Sequence, residues 1–145
     1  MRIILTAAVA CLAAVPLWAQ GLGDAEAGKR AFNQCVPCHM VINDAGEKLA
    51  GRNGRNGPNL YGLPDRPAAT VAGFRYSSGM RKAGEAGLIW TEENFAAFVQ
   101  NTNGFLGDYL GDKKIRSTMI LRLRNPDDAA DLYAYLQSLS PAPQD

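Results

Sequence analysis

Cys35-Val36-Pro37-Cys38-His39 is the stretch from which this chain has to be read. Two thiols three positions apart share one face of a helical turn, and the imidazole that follows stands beside them. Cys-x-x-Cys-His is the attachment signature of haem c: both thiols can bond the vinyl groups of one porphyrin while the histidine meets its iron. His39 is the only histidine, so no other imidazole competes for that role. A thioredoxin-like redox pair would need a strand before it and a parallel sheet around it, and no strand pattern of useful length is visible. A structural zinc site needs four ligands, which two cysteines and one histidine do not supply.

Outward from the motif the chain reads as helices separated by loops rich in Gly and Pro. Asp24 can cap a first helix with Glu26 in its opening turn, and Ala25, Ala31, Phe32 and Cys35 recur on one side. The segment GRNGRNGPNLYG, with glycines at 51, 54, 57 and 62 and a proline at 58, excludes a long helix and implies backbone wrapped closely around another group. Thr91 can cap a second helix, with Glu92 and Glu93 at the positive end of its dipole and Phe95, Phe98 and Val99 on its apolar face. A third helix has Asn125 as cap, Pro126 at its first position, a Leu132, Leu136 and Leu139 stripe, and a stop at Ser140-Pro141. Three modest helices offer few aliphatic residues for a core, and loops this long usually serve a site. A large buried cofactor would supply the missing apolar mass.

The N-terminus reads as a secretory leader over residues 1–19. Met1 and Arg2 form the positive region, Ile3 to Leu17 the apolar stretch, and Ala19 the small residue before cleavage. The apolar stretch is too short for a membrane span and is interrupted by Pro16. Cleavage leaves one domain over 20–145 and removes Cys11, so the pair Cys35 and Cys38 remains. An uncleaved anchor and a lipid anchor on Cys11 are the competing readings; the second lacks the usual Leu, having Ala8 in its place. The preferred location is the periplasm, as a soluble monomer.

One of the fifteen Lys and Arg residues, Arg2, lies in the leader, which leaves fourteen cations against fourteen Asp and Glu. Balanced charge argues against nucleic-acid binding. Locally the balance fails: Lys113, Lys114, Arg116, Arg122 and Arg124 follow one another with no acid between, before Asp127, Asp128 and Asp131. This run is either a solvated loop or a positive rim.

Beyond the leader the methionines are Met40, Met80 and Met119. Met40 adjoins His39 and cannot reach the other face of a haem. Met80 stands among glycines and charges between Ser77 and Gly87, which places it at the surface. Met119 precedes the last helix in a long segment that must fold back over something, and is the candidate sixth ligand. The alternative is an open distal face that binds gases or activates peroxide.

The chain resembles class I c-type cytochromes, and among them the bacterial cytochromes c2 with enlarged loops. The resemblance runs in order through AGKRAFNQCVPCHMV, GRNGRNGPNLYGL, GFRYSSGMRKAG, LIWTEENF, STM and DLYAYLQSL. It implies an all-α cytochrome c fold, three main helices plus short ones around one haem bound covalently through Cys35 and Cys38, with His39 and Met119 as axial ligands. It also implies that the Pro58 carbonyl accepts the outer N–H of His39, and that Tyr76 and Trp90 donate to a buried propionate. Arg66 would offset that propionate's charge, and Ser117 would add a hydroxyl. Gly28 and Phe32 would cross Leu132 and Tyr135.

Departures from the family pattern are equally specific. Thr118 and Leu121 stand where many relatives have Lys and Phe, and Phe98 where many have a tyrosine that bonds the methionine sulfur. The implied role is electron carriage without catalysis, from a quinol-oxidising bc complex to a photosynthetic reaction centre or terminal oxidase, through transient contacts with acidic partners. Arg81 and Lys82 would extend the positive rim. A haem enzyme or gas sensor, and a subunit held in a larger respiratory complex, are the competing functions.

Overall fold

The computed structural model describes residues 23–141. The leader at 1–19, Cys11 and the residues after 141 lie outside the described residues.

The first helix, α1 (Ala25–Ala31), starts at Asp24, whose carboxylate accepts from the backbone nitrogens of Glu26 and Ala27. A 3-10 turn, Phe32–Gln34, leads directly into the Cys-x-x-Cys-His segment. Helix α3 (Glu92–Gln100) is capped by Thr91, and α5 (Pro126–Leu139) by Asn125 with proline at its start. All three caps fall where the sequence places them.

Three further elements were not placed from the sequence pattern, although the family resemblance implies short helices beside the three main ones. A two-stranded antiparallel ribbon joins β1 (Met40–Ile42) to β2 (Lys48–Gly51), pairing Met40 with Gly51 and Val41 with Ala50, with a bulge after Val41. Its turn is closed by Asn43, whose side-chain oxygen accepts from Ala45 N and Glu47 N, and by Gly46 at φ 80°. Helix α2 (Ser78–Glu85) is capped by Ser77, and α4 (Thr102–Tyr109) by Asn101. Both contain two glycines, which lower helix propensity and hid the elements from the sequence reading. Packing explains the two in α2, because a Cβ at Gly79 would overlap the Ile115 side chain and one at Gly84 the Ala68 carbonyl. The small sheet leaves the fold predominantly helical, as expected.

The core is assembled around the α1–α5 crossing. A Cβ at Gly28 would overlap the carbonyl of Asp131 and the Cβ of Tyr135, so only glycine lets the two backbones meet. Phe32 stacks obliquely on Tyr135, ring centroids 5.6 Å apart, and Leu132 is buried beside them. Phe95 of α3 meets Tyr133 of α5 at 5.7 Å, and Trp90 meets Phe98 at 5.1 Å. Aromatic pairs at these separations add about 1 kcal/mol each beyond simple burial.

Candidate functional site

The turn that follows α1 is stitched by short-range backbone bonds: Cys35 N to Phe32 O, Cys38 N to Cys35 O, and His39 N to Cys35 O at 2.9 Å. Consecutive helical turns therefore bring Cys35, Cys38 and His39 to the wall of one cavity of about 320 Å³. Apolar side chains dominate its lining, among them Phe32, Leu60, Phe95, Phe98, Leu132 and Leu136. Both thiols are free in this structure, and burial, with Cys38 alongside, pushes the Cys35 thiol up to about 12.

His39 is 8% exposed. Its Nδ1 lies 2.9 Å from the Pro58 carbonyl, which can only accept, so Nδ1 carries the proton and Nε2 keeps a free lone pair. Burial lowers the imidazole pKa and outweighs the opposing effect of the Pro58 bond. The ring is also wedged from the side: any Cβ at Gly57 would overlap it, and Gly57 N donates to Cys38 O at 2.8 Å. The glycine-rich loop thus wraps closely, as its composition suggests, and Asn59 anchors it by exchanging two hydrogen bonds with Ile42 of β1.

Met119 reaches the same cavity from the segment between α4 and α5. Three contacts from nearby residues hold that segment. Ser117 Oγ accepts from Met119 N at 3.0 Å, Thr102 Oγ1 donates to Met119 O at 3.1 Å, and Asn103 Oδ1 accepts from Ser117 N at 2.8 Å. Thr102 and Asn103 were missed by the sequence reading; Asn101 in a capping position was the available signal. Met80 corrects an expectation: it is buried rather than exposed and lines the same cavity, because α2 turns its side inward. Met40 is half-buried on β1 and does not reach the cavity.

Arg66, Tyr76, Trp90 and Ser117 also line the cavity. The Arg66 guanidinium is fixed by the carbonyls of Tyr61, at 2.7 Å, and Asn59, at 3.3 Å. Burial lowers its pKa against the attraction of Tyr76, while burial raises that of Tyr76. The Tyr76 hydroxyl accepts from Val71 N. Phe98, with no polar atom to offer, is buried in the lining. Of the cations at 113–124, Lys113 pairs with Asp108, Arg116 turns onto the carbonyls of Lys113 and Ile115, and Arg122 donates to Asn101. Lys114 and Arg124 are exposed. Ile120, beside Met119 at the cavity, is 93% exposed.

No protein-family model matches the chain. Individual relatives do. Cytochrome c2 of Rhodovulum adriaticum is 54% identical over 117 residues, covering 81% of this chain and 93% of the relative. Cytochrome c2 of Cereibacter sphaeroides is 47% identical over 138 residues, 94% of each chain. The crystal structure of cytochrome c2 from Rhodobacter sphaeroides superposes with a TM-score of 0.81 at 47% identity, covering 83% of this chain and 99% of that one. Ferric cytochrome c-550 from Paracoccus versutus gives 0.77 at 34% identity, covering 82% and 99%.

Proposed function

The chain belongs to the cytochrome c2 family of class I c-type cytochromes, and from that membership we propose a periplasmic monohaem shuttle with haem c held covalently by Cys35 and Cys38 and ligated by His39 and Met119. The single observation carrying the reading is that the two thiols, the only imidazole and Met119 all converge on one deep apolar cavity. Those residues fit a haem: the cavity lining is greasy, with a small polar set, Arg66, Tyr76, Trp90 and Ser117, suited to carboxylates.

When bound, haem supplies an iron that gains and loses one electron. The chain's part is to hold it. His39 presents an unprotonated Nε2 because Pro58 fixes the opposite proton, which orients the ring and strengthens it as a ligand. Met119 offers a thioether, whose pairing with imidazole raises the reduction potential and leaves only outer-sphere exchange. Arg66, held by two carbonyls, keeps a positive charge in the cavity for a propionate, with Tyr76, Trp90 and Ser117 as hydrogen-bonding partners. Phe98 gives the Met119 sulfur no donor.

In this reading residues 1–19 direct export and are removed, leaving a monomeric domain over 20–145. Among the described residues no helix is long and apolar enough to cross a membrane. The partners are acidic redox proteins: a quinol-oxidising bc complex as donor and a photosynthetic reaction centre or terminal oxidase as acceptor, met through Lys114, Arg124 and neighbouring cations. Spectroscopy of the ferric holoprotein tests the ligation. The weak far-red band of a sulfur-to-iron bond is expected, and Met119→Ala should abolish it with haem still attached. A wild-type protein without that band, or one binding carbon monoxide readily when reduced, would establish an open-site haem protein instead.

A further inference from the structure

Three asparagines in the described residues are followed by glycine: Asn53, Asn56 and Asn103. A glycine at the next position removes the Cβ that otherwise blocks attack of the following backbone nitrogen on the asparagine side chain. The fold treats the three very differently.

Asn53 is exposed, and its side-chain oxygen accepts from Lys48 Nζ at 3.1 Å. An ammonium at that oxygen polarises the carbonyl and stabilises the negative charge that develops on it under attack. The backbone nitrogen of Gly54, which would attack, donates to no protein acceptor among the described residues. Asn56 has the same sequence context, Arg-Asn-Gly, but Gly57 N is committed to Cys38 O at 2.8 Å and the Gly57 α-carbon is wedged against the His39 ring. Asn103 lies inside α4, where helical geometry fixes the backbone, and its side-chain oxygen already accepts from Ser117 N.

We propose that Asn53 is a site of spontaneous deamidation, with Gly54 N as nucleophile and Lys48 as the assisting cation, while the fold keeps Asn56 and Asn103 as amides. The Gly54 nitrogen bonds to the Asn53 side-chain carbon and loses its proton, and ammonia leaves, giving a cyclic imide. Water then opens either imide carbonyl, yielding aspartate or isoaspartate; one water is consumed and one ammonia released, with no change of oxidation state. The product places a carboxylate among Lys48, Arg52 and Arg55. In the isoaspartate form it also lengthens the main chain by one methylene immediately before Gly54. Any Cβ at Gly54 would already crowd the Val36 carbonyl and the Cys38 backbone, so the lengthened chain bears directly on the segment between the two thiols.

Peptide mapping by mass spectrometry of the holoprotein, aged in mildly alkaline buffer, tests this. Asn53 should convert at least as fast in the folded protein as in the denatured chain, and Asn56 and Asn103 at least about tenfold more slowly than Asn53, since in each the attacking nitrogen must first leave an acceptor, Cys38 O for Gly57 N and Asn101 Oδ1 for Gly104 N. In the denatured chain all three should convert at comparable rates. Lys48→Gln, a change on an exposed strand position, should slow Asn53 several-fold in the folded protein and leave the denatured rate unchanged. The proposal is overturned if Asn56 or Asn103 keeps pace with Asn53 in the folded state, if folding protects Asn53, or if Lys48→Gln leaves the folded rate untouched.

Discussion

Gly28 of α1 and Asp131 of α5 approach so closely that no side chain fits between them. The crossing is reinforced one turn earlier, where Asp24 N donates to the Asp131 carboxylate at 2.7 Å. Gly28→Val should therefore destabilise the protein by about 3 kcal/mol and Gly28→Ala by somewhat less, because overpacking at a backbone contact forces the helices apart. Denaturant unfolding measures both; a neutral Gly28→Val would mean that the crossing relaxes at no cost.

Tyr133 ties α5 to the chain before α3, its hydroxyl donating to Trp90 O at 3.0 Å. Burial first, and the charge of Asp65 second, push its pKa from the ordinary 10 to about 12. The folded state therefore holds this proton more tightly than the unfolded state does. Its contribution is complete below pH 10 and is lost as pH rises toward 12, by about 1–2 kcal/mol once solvent screening of the hydroxyl is allowed for. Tyr133→Phe should start about 1 kcal/mol less stable, through loss of the bond to Trp90 O, and should not show that part of the alkaline decline. Unfolding curves collected across this pH range for both proteins decide it.

Ala69 sits at φ 63°, a left-handed conformation that costs an ordinary side chain about 1–2 kcal/mol. Glycine adopts it freely but gains freedom in the unfolded chain, an opposing effect of about 0.4–1 kcal/mol. Ala69→Gly is expected to stabilise by roughly 0.5 kcal/mol, read as a raised denaturation midpoint with an unchanged slope. A lowered midpoint would show that the Ala69 methyl contributes more by packing than its backbone costs.

Electron transfer from a bc complex, or onward to a terminal oxidase, should slow steeply as ionic strength rises, because exposed cations steer the encounter over roughly a Debye length. Lys114→Gln and Arg124→Gln should flatten that dependence. Lys113→Gln should change it less, since Lys113 is already paired with Asp108. Stopped-flow rates over a salt series provide the measurement, and a flat wild-type profile would remove the steering argument.

Legibility from sequence followed the physics of each element. Helices with side-chain caps and aliphatic or aromatic stripes, at Asp24, Thr91 and Asn125, announce themselves locally, and Cys35 to His39 carries its own spacing. Helix α2 does not, because Gly79 and Gly84 are set by tertiary neighbours rather than by propensity, and α4 does not, because Gly104 and Gly107 weaken its local signal. The same blindness misplaced Met80, whose polar sequence neighbours say nothing about which side of α2 faces the cavity. The Pro58 contact was legible only through family likeness, since nothing in a proline's identity tells which imidazole its carbonyl will meet. Thr102 and Asn103, which brace the Met119 segment, belong to a helix that was itself unread.

The pairing of α1 with α5 joins residues more than a hundred positions apart. A polypeptide delivered amino end first, from a ribosome or through a membrane pore, therefore has no surface on which to seat its first helix until its last one arrives. Throughout that interval the two thiols, only a few residues beyond α1, ride on an undocked segment that approaching chemistry can reach. Closure of the terminal clasp is then the event that converts an accessible attachment site into an interior wall.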